Sequence, residues 1–275
     1  MIINGIEIAA DIIAELKKQP KPQKFLAAIL VGEDPASVIF LKEKEKVAGG
    51  LGVDFRLYKH PASLTRDELR KEVLKIAQHK TCGGVIVQLP LPEHLNKHYA
   101  VNVIPREKDV DVLGERALGA FYTGRNPVLP PAVGVVQEIL SEVKCQMSDV
   151  KAAVIGRGFL VGKPISVWLI DKVAELEVFA SDTKDLKNKL KNADIVISGV
   201  GKLGLFGPED LKECAGVIDF GYSTDKNGNL RGDFDTQLSV TNYQLLRFYT
   251  ETPGGTGPIL VAKLFENFYE LNKNR

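Results

Sequence analysis

Apolar runs and amphipathic stretches alternate along the chain. Phe25-Leu26-Ala27-Ala28-Ile29-Leu30-Val31 is an unbroken apolar run closed by Gly32, which predicts a buried strand. Asp34-Pro35-Ala36-Ser37 then opens a helix, with Asp34 placed to cap it and Pro35 suited to its first position. This helix is expected to run to Gly49-Gly50. Residues 53–58 alternate as a strand, 66–78 form an amphipathic helix, and 85–88 form the next strand. Pro90 and Pro92 forbid that strand from continuing, so the chain leaves it at the uncharged amide of Gln88. The order βαβαβ predicts a mostly parallel sheet covered by helices.

The pattern loosens through Gly114, Gly119 and Gly124 to Pro130-Pro131, and a domain boundary is placed at 120/121. A helix over 133–143 leads into a second α/β series. It has strands at 152–155, 176–179, 195–198, 217–219 and 245–249, with helices at 164–173 and 185–191. After the glycine-rich Pro253-Gly254-Gly255-Thr256-Gly257-Pro258, a helix over 259–271 has no strand following it and is expected to return to the first domain. The fold class is therefore α/β with two lobes and a cleft between them. Residues 1–120 with 258–275 form an N-terminal catalytic lobe, and residues 121–257 form a Rossmann-like nucleotide-binding lobe.

Composition narrows the function classes. With 275 residues the chain is long enough for two cores, and a net charge of +1 without a long basic run argues against a nucleic-acid partner. No segment has the length and apolarity of a membrane span, and the N-terminus lacks the pattern of a signal peptide. Cys82, Cys145 and Cys214 are odd in number and widely spaced, which predicts unpaired thiols and a cytoplasmic location. His94 and His98 have helical spacing, but no third ligand is evident beyond Glu93, so no metal site is expected.

Two segments carry candidate chemistry. Val154-Ile155-Gly156-Arg157-Gly158-Phe159-Leu160-Val161-Gly162 reads as a strand, a glycine turn and a helix start. There Gly156 and Gly158 let the backbone approach a pyrophosphate. Ser181 and Asp182 follow the next strand, where a carboxylate would accept from ribose hydroxyls and repel a 2′-phosphate. Arg157 would act in the opposite sense, and Asp182 could instead cap the following helix together with Thr183. In the first lobe, Phe40 and Lys44 share a helix face, and a lysine in a dry cleft can serve as a base. Gln88 could orient it without adding charge, Asp111 could bind a donor-rich heterocycle, and Asp109 could be structural.

Together these segments resemble the bifunctional methylenetetrahydrofolate dehydrogenase/cyclohydrolase (FolD) family over nearly the whole chain. The matching motifs are Val31-Gly32-Glu33-Asp34-Pro35-Ala36-Ser37, Val87-Gln88-Leu89-Pro90-Leu91-Pro92, Lys108-Asp109-Val110-Asp111, Val154-Ile155-Gly156-Arg157, Val161-Gly162-Lys163-Pro164, Gly232-Asp233-Phe234 and Pro253-Gly254-Gly255-Thr256-Gly257-Pro258. The resemblance implies oxidation of 5,10-methylenetetrahydrofolate with NADP, or alternatively NAD, followed by hydrolysis to 10-formyltetrahydrofolate. It implies Lys44 as the cyclohydrolase base or proton shuttle, Gln88 as its tuning partner and Asp111 on the pterin. Phe40 and Pro253-Gly254-Gly255 would contact the folate. Gly156, Arg157, Gly158, Gly162, Ser181, Asp182 and Tyr222 would lie at the dinucleotide. It also implies a homodimer.

The departures fall mainly on the nucleotide side. Phe40 stands where the family has tyrosine, Val112 where Lys-Asp-Val-Asp is followed by glycine, and Gly158 where serine follows Gly-Arg. Phe179-Ala180-Ser181-Asp182-Thr183 replaces Cys-His-Ser-Arg-Thr, Leu129-Pro130-Pro131-Ala132 replaces Pro-Cys-Thr-Pro, and Tyr222 replaces an aliphatic residue. They leave two alternatives: a cyclohydrolase without hydride transfer, or a folate-binding regulatory protein. A shikimate dehydrogenase-like enzyme is disfavoured by Gln-Leu-Pro-Leu-Pro and Pro-Gly-Gly.

Overall fold

The structure is a computed structural model and describes residues 1–236 and 245–273. The chain divides into two compact units, one of residues 10–131 with 261 onward, the other of residues 1–9 with 132–260.

The first of these is built on β2 (Phe25–Val31), β3 (Phe55–His60) and β4 (Cys82–Val87), a parallel sheet in the order β3-β2-β4. Every residue of β2 is buried, as a central strand covered on both faces requires. Between the strands run α2 (Pro35–Leu51) and α3 (Arg66–Gln78). Asp34 caps α2 by accepting from the Ser37 amide at 2.8 Å, and Pro35 fills its first turn. The helix passes through Gly49-Gly50, where the pattern placed its end, and stops at Leu51. Gly52 takes the left-handed conformation that closes it (φ 66°). β4 begins earlier than expected, at Cys82, because Gly83 and Gly84 are inside it. A side chain at Gly84 would meet Leu26, Val110 and Phe268 within 2.9 Å, and one at Gly83 would meet Asn272 Oδ1 at 2.5 Å, so the helix α9 (Thr256–Asn272) presses closely on the strand at these two glycines. α9 is held in this unit by Asn267, whose amide donates to Val110 and Leu129 carbonyls, both at 2.8 Å. The short helix α4 (Lys97–Val101) follows the proline turn after β4, and α5 (Glu115–Tyr122) occupies the stretch where the sequence pattern loosens.

The second unit is a six-stranded parallel sheet. Its strands are β1 (Ile2–Ile3), β5 (Lys151–Ile155), β6 (Glu175–Phe179), β7 (Ile195–Ser198), β8 (Gly216–Asp219) and β11 (Phe248–Thr250), in the order β1-β11-β8-β7-β5-β6. The N-terminal strand and α1 (Gly5–Lys17) were not anticipated from the sequence. Residues 1–9, expected with the catalytic lobe, group with this sheet because Ile2 and Ile3 pair with Tyr249 and Thr250. α6 (Pro131–Glu142) precedes β5. α7 (Gly162–Leu169) starts and ends earlier than expected, and α8 is Leu186–Leu190. A small hairpin, β9 (Ser223–Thr224) with β10 (Leu230–Arg231), follows β8. β11 is shorter than the strand expected over 245–249, and part of the segment before it lies outside the described residues.

Candidate active site

Helix α2 buries Ser37, Leu41, Lys44, Ala48 and Leu51, a stripe with alternating spacings of four and three residues. Lys44 therefore stands on the core face, 6% exposed, while Lys42 and Lys46 are in solvent. Its Nζ donates to Gln88 Oε1 at 2.9 Å. Gln88 is the first residue beyond β4, and its own Nε2 donates to the Leu89 carbonyl at 2.8 Å. That second bond fixes the amide's nitrogen toward the Leu89 carbonyl and so turns the oxygen to the lysine. Burial holds the Lys44 ammonium below its ordinary pKa, and the Asp111 carboxylate partly restores it. Burial likewise raises Asp111, with Lys44 opposing. The result is a lysine that loses its proton more readily than one in water, beside a neutral amide and a half-buried carboxylate. Phe40, one turn earlier, is half-buried.

Asp109 is structural. Its carboxylate is 1% exposed and accepts from the Leu113 amide at 3.0 Å and the Gly114 amide at 2.7 Å, closing the turn that presents Asp111. Burial pushes its pKa up to about 6 against these bonds. Lys108 points elsewhere and donates to the Ala77 carbonyl at 2.6 Å. Inside that turn Val112 adopts φ 57°, a left-handed conformation that a β-branched side chain disfavours.

In the other unit, β5 ends at Ile155 and Gly156 turns with φ 99°, its amide donating to the Phe179 carbonyl of β6 at 2.8 Å. A β-carbon on Gly162 would collide with the Gly156 carbonyl, so the turn closes only on glycine, whereas Gly158 faces open space. α7 begins without a side-chain cap; of its first-turn residues Pro164 has no N–H and the Lys163 amide donates to the Gly158 carbonyl at 3.0 Å, which leaves the Gly162 amide for an anion. Arg157 is exposed beside it. Ser181 is half-buried and Asp182 exposed just beyond β6. Asp182 does not cap the next helix. The residue before α8 is Asp185, and Thr183 Oγ1 accepts from the Ala180 amide at 3.0 Å. Among the described residues neither Arg157 nor Asp182 has a hydrogen-bond or ion-pair partner, so both charges are free for a ligand. The glycine turn, uncapped helix and free charges fit a nicotinamide dinucleotide. Tyr222 is half-buried between β8 and β9, and Pro253-Gly254-Gly255 form the turn between β11 and α9.

Sequence reasoning missed Asp219 at the end of β8. It is 2% exposed and accepts from the Gly221 amide at 2.6 Å and the Phe234 amide at 2.9 Å. Burial, then the neighbouring Asp233 carboxylate, raise its pKa to about 7. An acidic residue ending an apolar strand was the available signal. Cys82, Cys145 and Cys214 are free thiols. Among the described residues no group of three His, Cys, Asp or Glu side chains could hold a metal ion, and no helix is long and apolar enough to cross a membrane.

Residues 3–111 match the catalytic-domain model of the tetrahydrofolate dehydrogenase/cyclohydrolase family, and residues 130–275 match its NAD(P)-binding-domain model. The bifunctional protein FolD of Lactococcus lactis subsp. lactis is 34% identical over 271 residues, covering 96% of this chain and 94% of that protein. The crystal structure of the bifunctional FolD dehydrogenase/cyclohydrolase from Campylobacter jejuni superposes with a TM-score of 0.94 at 29% identity, covering 100% and 99% of the two chains. That of the Trypanosoma brucei enzyme, complexed with NADP cofactor and an inhibitor, gives 0.92 at 29% identity, covering 99% and 97%.

Proposed function

The chain belongs to the tetrahydrofolate dehydrogenase/cyclohydrolase family, and on that premise we propose how its own residues carry the two reactions. It oxidises 5,10-methylenetetrahydrofolate to the methenyl form with a nicotinamide dinucleotide and hydrolyses that product to 10-formyltetrahydrofolate, a step in one-carbon metabolism. The observation that carries the residue assignment is the buried hydrogen bond from Lys44 to Gln88.

Lys44, in its neutral form, takes a proton from the water that adds to the methenyl carbon. The resulting ammonium then returns that proton to the folate nitrogen as the carbon–nitrogen bond breaks, and the carbinol hydroxyl gives its proton to solvent as the formyl C=O forms, the one proton the reaction releases overall. Gln88 holds Nζ in place without adding charge, so the lowered pKa survives. Asp111, an acceptor, takes the donor edge of the pterin. Phe40 stacks on the folate, and Pro253, Gly254 and Gly255 are further substrate contacts.

The dinucleotide supplies the hydride acceptor. Gly156, Gly158 and Gly162 with the first turn of α7 hold its phosphates, Ser181 and Asp182 the adenosine ribose, and Tyr222 the nicotinamide side. NADP is the favoured cofactor through Arg157, and Asp182 opposes the 2′-phosphate so that NAD stays competent. A homodimer in the cytoplasm is the working state. The outer strand β6, with Val178 exposed, supports a partner on this unit.

Initial rates of methenyltetrahydrofolate formation with NADP and NAD in parallel test the reading. Turnover with either is expected. None from folded protein would leave the cyclohydrolase-only or folate-binding alternatives.

A further inference from the structure

Asp233 is fully buried, and three donors converge on its carboxylate. Oδ2 accepts from Ser198 Oγ at 2.6 Å and from the Val200 amide at 2.7 Å, and Oδ1 accepts from the Lys202 amide at 2.7 Å. Ser198 ends β7, so these bonds define the loop 199–202 at the carboxyl end of the strand beside β5. In open parallel sheets this is the edge where ligands bind. The loop backs on the dinucleotide turn. A β-carbon on Gly199 would lie 2.5 Å from Val161 Cγ1, and one on Gly156 would lie 3.1 Å from the Gly199 carbonyl oxygen. Gly201, at φ 75°, completes a conformation that the two captured amides hold. Asp233 also abuts the next loop, since a β-carbon on Gly221 would overlap its backbone amide nitrogen.

We propose that Asp233 is a positioning residue for cofactor binding and hydride transfer, acting by holding the β7 loop against the glycine turn of the dinucleotide site. Only a carboxylate can do this. It offers acceptors on both oxygens, whereas the isosteric amide presents N–H groups toward at least one of the three donors. Losing it leaves the buried Ser198 hydroxyl and the part-buried Val200 and Lys202 amides short of an acceptor, and the loop must move to rehydrate them. Lys44, Gln88 and Asp111 belong to the other unit, so the hydrolytic reaction serves as an internal control.

The inference rests on the functional reading above, and the test separates the two. Wild-type protein, Asp233→Asn and Ser198→Ala are compared for calorimetric Kd for NADP and NAD, dehydrogenase kcat and KM, cyclohydrolase rate on supplied methenyltetrahydrofolate, and thermal midpoint. For Asp233→Asn the nucleotide Kd and KM should rise at least tenfold while the cyclohydrolase rate stays within twofold. For Ser198→Ala, which removes one of the three donors, the shift should be about threefold in the same direction. Nucleotide affinity within twofold of wild type in a folded Asp233→Asn overturns the proposal, as does a parallel fall of both activities. If Asp233→Asn does not fold, unchanged Kd in Ser198→Ala overturns it instead. Absence of nucleotide binding by the wild type would strike the functional reading itself.

Discussion

Lys44 and Gln88 are separated by 44 positions in sequence and by 2.9 Å in space, the ammonium donating to the amide oxygen inside the core. Lys44 Nζ meets a neutral acceptor there, and among the described residues it has no ion-pair partner within contact distance. Burial therefore outweighs the pull of Asp111.

Replacing Lys44 with Met should remove the base while keeping the apolar stem that fills the α2 stripe. Cyclohydrolase rate should fall about 10²-fold or more, the typical contribution of a positioned base, with the protein still folded. Methenyl decay is followed against spontaneous hydrolysis, and full activity in this variant would remove Lys44 from the chemistry.

The pH profile should follow the same group. A base acts when deprotonated, so cyclohydrolase activity rises with pH through the lowered lysine pKa. Gln88→Glu would place a negative charge against the ammonium, raise that pKa and move the acidic limb to higher pH. Linkage has a definite sign as well. Between the folded pKa and the ordinary lysine value the unfolded chain binds more protons, so this group makes stability increase with pH there, and Gln88→Glu should flatten that slope. A limb that does not move would mean that another group titrates.

Val112 offers a test of backbone strain next to Asp111. Glycine is ordinarily about 1 kcal/mol less favourable than alanine through unfolded-state entropy. At φ 57° the order should invert, with Val112→Gly at least as stable as Val112→Ala in urea unfolding although the glycine variant also gives up the buried β-carbon that alanine keeps. Alanine more stable by the ordinary margin would show that the left-handed turn is not retained in solution.

Cofactor choice should follow two exposed charges. Asp182→Asn removes repulsion of a 2′-phosphate and should raise the NADP/NAD ratio of kcat/KM by about tenfold. Arg157→Ala should lower it by a similar factor, both effects shrinking as salt screens them. Ratios unchanged in both variants would place the 2′-phosphate elsewhere.

The alternating strands and helices of both units were legible because apolar periodicity reports local structure and burial together. β2, α3 and β7 lie close to where the pattern puts them. The end of α2 was misread because glycine is a stop signal only on average. Gly49 and Gly50 are exposed positions in a helix carried onward by Leu51, and the left-handed residue is Gly52. β1 was not legible because two residues hold no period, and their pairing partners lie nearly 250 positions away (Ile2 with Tyr249).

By itself the sequence determined the α/β class, the strand–glycine turn–helix of the dinucleotide site and the presence of Lys44, Gln88 and Asp111, since each is a property of residue type and short spacing. Lys44 could have been picked out from its neighbouring lysines as the polar member of an otherwise largely apolar stripe. That it is dry, that its partner is an amide oxygen, and that Asp182 is left free while Thr183 accepts from the Ala180 amide were decided only by tertiary structure. Desolvation and hydrogen-bond partnership depend on what long-range packing brings around a group, and no local pattern carries that information.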